Sequence, residues 1–121
     1  MTRINVGVHP RDLTDKHLLA EHREIKRIPN MVKSGKAKIE NIPDQFTLGK
    51  GHVKFFYNKL GFLLRRYNHL YDECIKRGFA VTAYHEAWDN IPKELMGNYI
   101  PSKLDRKIIL ERINQRLQGV K

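Results

Sequence analysis

The chain has 121 residues, 40% of them hydrophobic and 30% charged, which is apolar enough to build one buried core and too apolar for a disordered chain. No apolar run reaches the roughly 18–20 residues of a membrane span, and the opening MTRINVGVHPRD is charged where a secretory signal would be apolar; a soluble, cytoplasmic protein with a single domain over residues 1–121 is expected. Twenty-three Lys and Arg against 13 Asp and Glu leave a formal charge of +10, which points to a polyanionic partner, nucleic acid ahead of an anionic membrane surface.

Along the chain, Thr14 reads as the N-cap of a first helix, with Asp15 at the positive end of its dipole. Leu18, Leu19, His22, Ile25 and Ile28 recur at helical spacing and should face the core. Pro29 should end or kink this helix, since its ring removes an N–H and crowds the preceding turn. Residues 30–50, with Gly35, Pro43 and Gly49, read as a basic connecting segment holding at most a short helical piece. Between residues 23 and 38, six cations (Arg23, Lys26, Arg27, Lys33, Lys36 and Lys38) surround one acid, Glu24.

The strongest helical pattern is Val53, Phe56, Leu60, Leu63, Tyr67, Leu70 and Cys74, in alternating steps of three and four, which predicts one helix of six turns. Lys76, Arg77 and Gly78 supply its C-terminal cap, and Gly61 weakens it unless another backbone packs close there. A loop through Trp88 follows, then a short turn at residues 93–96 between Pro92 and Gly97. Ser102 opens a third helix with Asp105 in its first turn, and Leu104, Ile109, Ile113 and Leu117 are expected on its inner face. Only residues 4–8 show any strand-like alternation. The expected fold is all-α, a compact domain of three main helices with irregular connecting loops.

Six histidines invite a metal site, but His9, His17, His22, His52, His69 and His85 give no i, i+4 pair with carboxylate support. The run from His85 to Asp89 has Asp where the zinc-protease motif needs its second His, and Gly49-Lys50-Gly51-His52 lacks the spacing and hydroxyl of a phosphate loop. The one cysteine, Cys74, falls on the core stripe and reads as packing. Tyr84 and Trp88 can stack on bases, although core filling is the plainer role.

Thr2 is small enough for Met1 to be removed, which leaves a free α-amine beside Arg3. An α-amine has an unperturbed pKa of about 7.7–8, against about 10.4 for lysine, so part of it is an uncharged nucleophile at neutral pH, ready for Schiff-base chemistry. A Met-Thr start alone is commonplace. Glu24 adds to it: Arg23 and Arg27, four residues apart, share a helix face that Glu24 borders, so two phosphates and the sugar between them fit that edge. The competing reading is an ordinary helical salt bridge from Glu24 to Arg27 or Lys16.

Five segments resemble the phage-type pyrimidine-dimer DNA glycosylase and apurinic/apyrimidinic (AP) lyase family, often called phage endonuclease V. They are MTRIN at 1–5, DKHLLAEHREI at 15–25, GKGHVKFFYNKLGFLLRR at 49–66, ECIKRGF at 73–79 and NIPKELMGNYIP at 90–101. The resemblance implies a monomeric enzyme that uses no metal or other cofactor and acts on double-stranded DNA with damaged or abasic sites, with no membrane partner. It implies that the Thr2 amine attacks C1′ and expels the base, and that β-elimination then cuts the strand. Glu24 would be the essential carboxylate, Arg3, Arg23 and Arg27 would grip phosphates, and His17 would lie near the pocket. His22 stands among these DNA-contacting positions where the family usually has Tyr, and Gln118-Gly119-Val120-Lys121 lacks the family's aromatic, basic tail. Both departures bear on preference for thymine dimers. The alternative is a basic, non-catalytic DNA-binding protein that retains the fold.

Overall fold

Capping chemistry and the positions of proline and glycine set most of the helix ends. The computed structural model describes residues 2–118, with side chains as far as Arg116. Met1, the side chains of Leu117 and Gln118, and residues 119–121 of the aromatic-free end lie outside the described residues. Its α-helices are α1 (Asp15–Glu24), α2 (Arg27–Lys33), α3 (His52–Phe55), α4 (Leu60–Lys76) and α5 (Lys103–Gln118). Among the described residues there is no strand, only an isolated bridge between Lys59 and Met96, so the all-α expectation holds, with α1, α4 and α5 as the main helices. No helix among them is long and apolar enough to cross a membrane.

The hydroxyl of Thr14 accepts the His17 N–H at 3.2 Å, so α1 starts at its cap. Pro29 does not end a helix; it sits in the first turn of α2, where a missing N–H costs little. The kink falls a turn earlier, at residues 25–26, because a proline ring crowds the carbonyl four residues back, here that of Ile25. That carbonyl accepts instead from Ile28 N–H at 3.3 Å. Residues 30–33, expected in the connecting segment, are therefore helical.

The single six-turn helix that periodicity predicts is divided into α3 and α4. The chain leaves helical geometry before Lys59, which has φ −125° and ψ 37°. Phe55, Phe56 and Tyr57 are all buried there. Three consecutive residues of a continuous helix fan over about 200° and cannot all face one core, so burial of three aromatic rings favours the break. Gly61 has the close backbone neighbour it called for: a Cβ there would lie 2.5 Å from the Met96 carbonyl oxygen, and Phe62 N–H donates to Gly97 O at 3.0 Å.

At the far end of α4, Phe79 N–H bonds Cys74 O and Gly78 N–H bonds Ile75 O, each at 2.9 Å, with Gly78 at φ 84°. Arg77 donates to the carbonyls of Pro10, Arg11 and Leu13 and to the carboxylates of Asp15 and Glu73, which ties this end to the loop that launches α1. On α5, Ser102 and Asp105 cap reciprocally, at 3.0 and 3.2 Å. Its inner face holds for Ile109, which is buried, and Ile113, which packs against the core, but Leu104 is 65% exposed. Five residues of helix turn by about 500°, so Leu104 stands roughly 140° away from Ile109. The buried apolar residues form a contiguous cluster in which Leu63, Tyr67, Leu70 and Cys74 of α4 meet Leu18, Ile25, Ile28, Ile109 and Ile4. Burial pushes the Cys74 thiol pKa up, as suits a packing residue.

Candidate active-site cleft

The first residues have no sheet to hold them, so side chains do the anchoring. Ile4 N–H donates to His52 Nε2 at 2.9 Å, and Asn5 Nδ2 donates to Glu21 Oε1 at 2.7 Å. Glu21, with a side chain 1% exposed, is clamped by Arg66, whose Nε is 2.7 Å from Oε2 and whose Nη2 is 3.0 Å from Oε1. Arg66 Nη1 also reaches the Val8 carbonyl at 2.5 Å. A carboxylate this deep is tolerated because the guanidinium fork engages both its oxygens.

With residues 4 and 5 pinned, Arg3 falls beside α1. Arg3, Asn5, His17, Ala20, Glu21, Glu24 and Arg116 line a cleft of about 90 Å³. Thr2 is half-buried at the start of the same segment. The Glu24 side chain is 16% exposed, and its Oε1 is 3.5 Å from Arg27 Nη1. This is the salt bridge that the spacing allows, but a half-exposed pair at that length contributes little, and Glu24 has a further interaction beside it. Burial lowers the pKa of Arg3, with Arg112 and Arg116 adding to the shift and Glu24 opposing it. His17 is lowered by burial and then by Arg116, Lys16 and Arg3, against Glu21; its Nδ1 lies 2.8 Å from the Thr14 hydroxyl. The cleft therefore holds mutually repelling cations around a carboxylate. A cleft of that make-up is suited to an anion, whose charge relieves the repulsion.

Of the predicted site residues, Arg3, His17 and Glu24 come together here. Arg23 and Arg27 do not line the cleft; both are exposed, on either side of the kink at residues 25–26. His22 stands apart from them: it is 3% exposed, bonded through Nε2 to Tyr67 OH at 3.1 Å and packed against Tyr71 and Tyr84, so its ring faces the core. Burial lowers its pKa, with Lys26 and His85 adding to the effect. Its place on the apolar stripe of α1 already implied this inward orientation. Trp88 is likewise core, while half-buried Tyr84 carries Lys26 Nζ 3.5 Å above its ring.

Sequence reasoning missed Asn5, Glu21, Arg66, Arg112 and Arg116. A signal existed for two of them: Glu21 stands on the inward face between Leu18 and Ile25, and Arg66 beside Leu63 and Tyr67, and charged residues at core positions imply each other as partners. No local signal marks Arg112 or Arg116, which approach the cleft only through the docking of α5.

A small, basic, helical protein whose N-terminal segment and α1 set carboxylates among arginines has the make-up of a protein acting on a polyanion. Residues 1–87 match the family described as pyrimidine dimer DNA glycosylase, which is 87 of 121 residues, and the chain belongs to that family. Its substrate is accordingly DNA and its role DNA repair. The matched span includes Thr2, Arg3, His17 and Glu24 and stops short of α5.

Proposed function

We propose that the protein is a bifunctional glycosylase and AP lyase that works through the α-amine of Thr2 once Met1 is removed. The amine lone pair forms a bond to C1′ of the damaged nucleotide, the glycosidic bond breaks, and the departing base takes a proton. Ring opening at O4′ then leaves an imine, which acidifies the C2′ proton; transfer of that proton to a carboxylate expels the 3′ phosphate by β-elimination. Glu24 stabilises the cationic sugar and takes the proton. Arg3 and Arg116 hold the flanking phosphates, the exposed Arg23 and Arg27 grip further ones, and extrusion of the nucleotide, which is least costly at a damaged pair, brings C1′ to the amine.

One observation carries this reading: Glu24 lines a cationic cleft together with Arg3, the neighbour of Thr2, on a segment anchored to the core at Ile4 and Asn5. Borohydride added during reaction with an abasic duplex tests it. A protein confirmed by mass to begin at Thr2 should become covalently linked to DNA. Salt-sensitive binding without any adduct would instead identify a non-catalytic DNA-binding protein.

A further inference from the structure

His52 lies outside the cleft, yet it is the acceptor for the backbone amide two residues from the proposed nucleophile. Its Nε2 accepts the Ile4 N–H at 2.9 Å, and its Nδ1 faces the Thr47 carbonyl at 2.9 Å. A carbonyl only accepts and an amide only donates, so these partners fit the neutral ring with the proton on Nδ1. The ring is 3% exposed and wedged edge-on between Phe46 and Phe56, each with its centroid 5.4 Å away, so it has nowhere to turn. Three residues before it, Gly49 lies against Arg3 in a second depression with Arg112.

We propose that His52 is a positioning residue for the N-terminal nucleophile: as the neutral Nδ1–H ring it holds the Ile4 amide and so keeps residues 2–4 in register with Glu24, and a proton on Nε2 unlatches that segment. The proposal rests on the amine chemistry above. Protonation replaces an acceptor by a donor facing another donor, which turns an attraction of one hydrogen bond into a repulsion. Burial and Arg3 resist the proton, and the Thr47 carbonyl and Glu21 favour it, so the latch opens only below the ordinary histidine range.

The test is the pH profile of borohydride trapping on an abasic duplex, using protein confirmed to begin at Thr2. With wild type, the rate falls roughly tenfold per pH unit where the amine alone titrates, and more steeply once His52 also takes a proton. His52→Gln keeps an acceptor that does not titrate, so its acid limb lacks the extra steepness. His52→Leu has no acceptor and should trap at least about tenfold more slowly at every pH while still binding duplex DNA. Superimposable wild-type and His52→Gln profiles, or His52→Leu trapping at the wild-type rate, would overturn the proposal.

NMR of the wild-type protein without DNA covers the case in which these variants fold poorly. The imidazole nitrogens should report the Nδ1–H tautomer at pH 7, and the Ile4 amide should lose its protection from exchange in step with His52 protonation. An Nε2–H tautomer, or an unprotected Ile4 amide, overturns the latch. Absence of any wild-type adduct overturns the amine chemistry and with it the positioning role, and the DNA-free NMR signatures tell that failure apart from failure of the latch.

Discussion

Glu21 and Glu24 stand three residues apart on α1, with side chains 1% and 16% exposed. The first is closed off by a two-point grip from Arg66 and a bond from Asn5. Both line the cleft, but only the second is left half-buried there, near Arg3, on which Arg112 and Arg116 press their charge. Identical side chains on one helix thus do different work: one has its hydrogen-bonding capacity spent on anchoring the chain, while the other sits where substrate charge can reach it. A carboxylate serves structure where the fold completes its surroundings, and stays open to a ligand where the fold leaves part of its surface exposed.

Breaking the anchoring side should have the largest effect. Arg66→Ala leaves Glu21 a buried charge without its counter-ion, and such losses run to about 3–5 kcal/mol, to be read from urea denaturation midpoints. A loss under about 1 kcal/mol would mean that Glu21 draws its support from elsewhere. On the cleft side, Glu24→Gln should keep its denaturation midpoint within about 0.5 kcal/mol and bind a lesion duplex at least as tightly as wild type. It should lose strand cleavage by roughly a hundredfold or more. Cleavage near the wild-type rate would make Glu24 an ordinary surface charge.

Acid should weaken the core side of the comparison, where two histidines are buried. His22 and His52 both have folded pKa values held below the ordinary 6.5, chiefly by burial. The unfolded chain therefore takes up protons first as pH falls. Stability should be fully present above about pH 6.5 and should decline from there toward the lower folded values. Urea midpoints that stay level from pH 8 to pH 5 would contradict this. The smallest effect belongs to Arg27→Ala, which should leave stability almost unchanged. It should flatten the log–log salt dependence of duplex binding by about one unit, and an unchanged slope would place the DNA on another face.

Much of the helix framework was legible because its causes are local. Thr14, Gly78 and the Ser102–Asp105 pair cap where their chemistry demands, and Gly61 announced a close backbone before the 95–99 segment was in view. The helical residues 30–33 follow locally from Pro29 in a first turn, whereas two other misplaced features have a non-local cause. The break between α3 and α4 follows from three adjacent aromatics competing for one core, and the exposure of Leu104 follows from the rotation of α5 that turns Ile109 inward. The resemblance puts Arg3, His17 and Glu24 together, and they line one cleft, while the inward place of His22 was legible in the apolar stripe of α1.

The amino-acid sequence by itself determined the helical class, the caps, the cationic surplus and the family, since each depends on residue type and short-range spacing. Only the tertiary structure decided that Glu21 would meet Arg66 across 45 residues, that His52 would hold Ile4 across 48, and that α5 would bring Arg112 and Arg116 toward Arg3. Those pairings depend on which helix faces share the core, and the free energy that selects them comes from burying the whole cluster together and from no single segment of it.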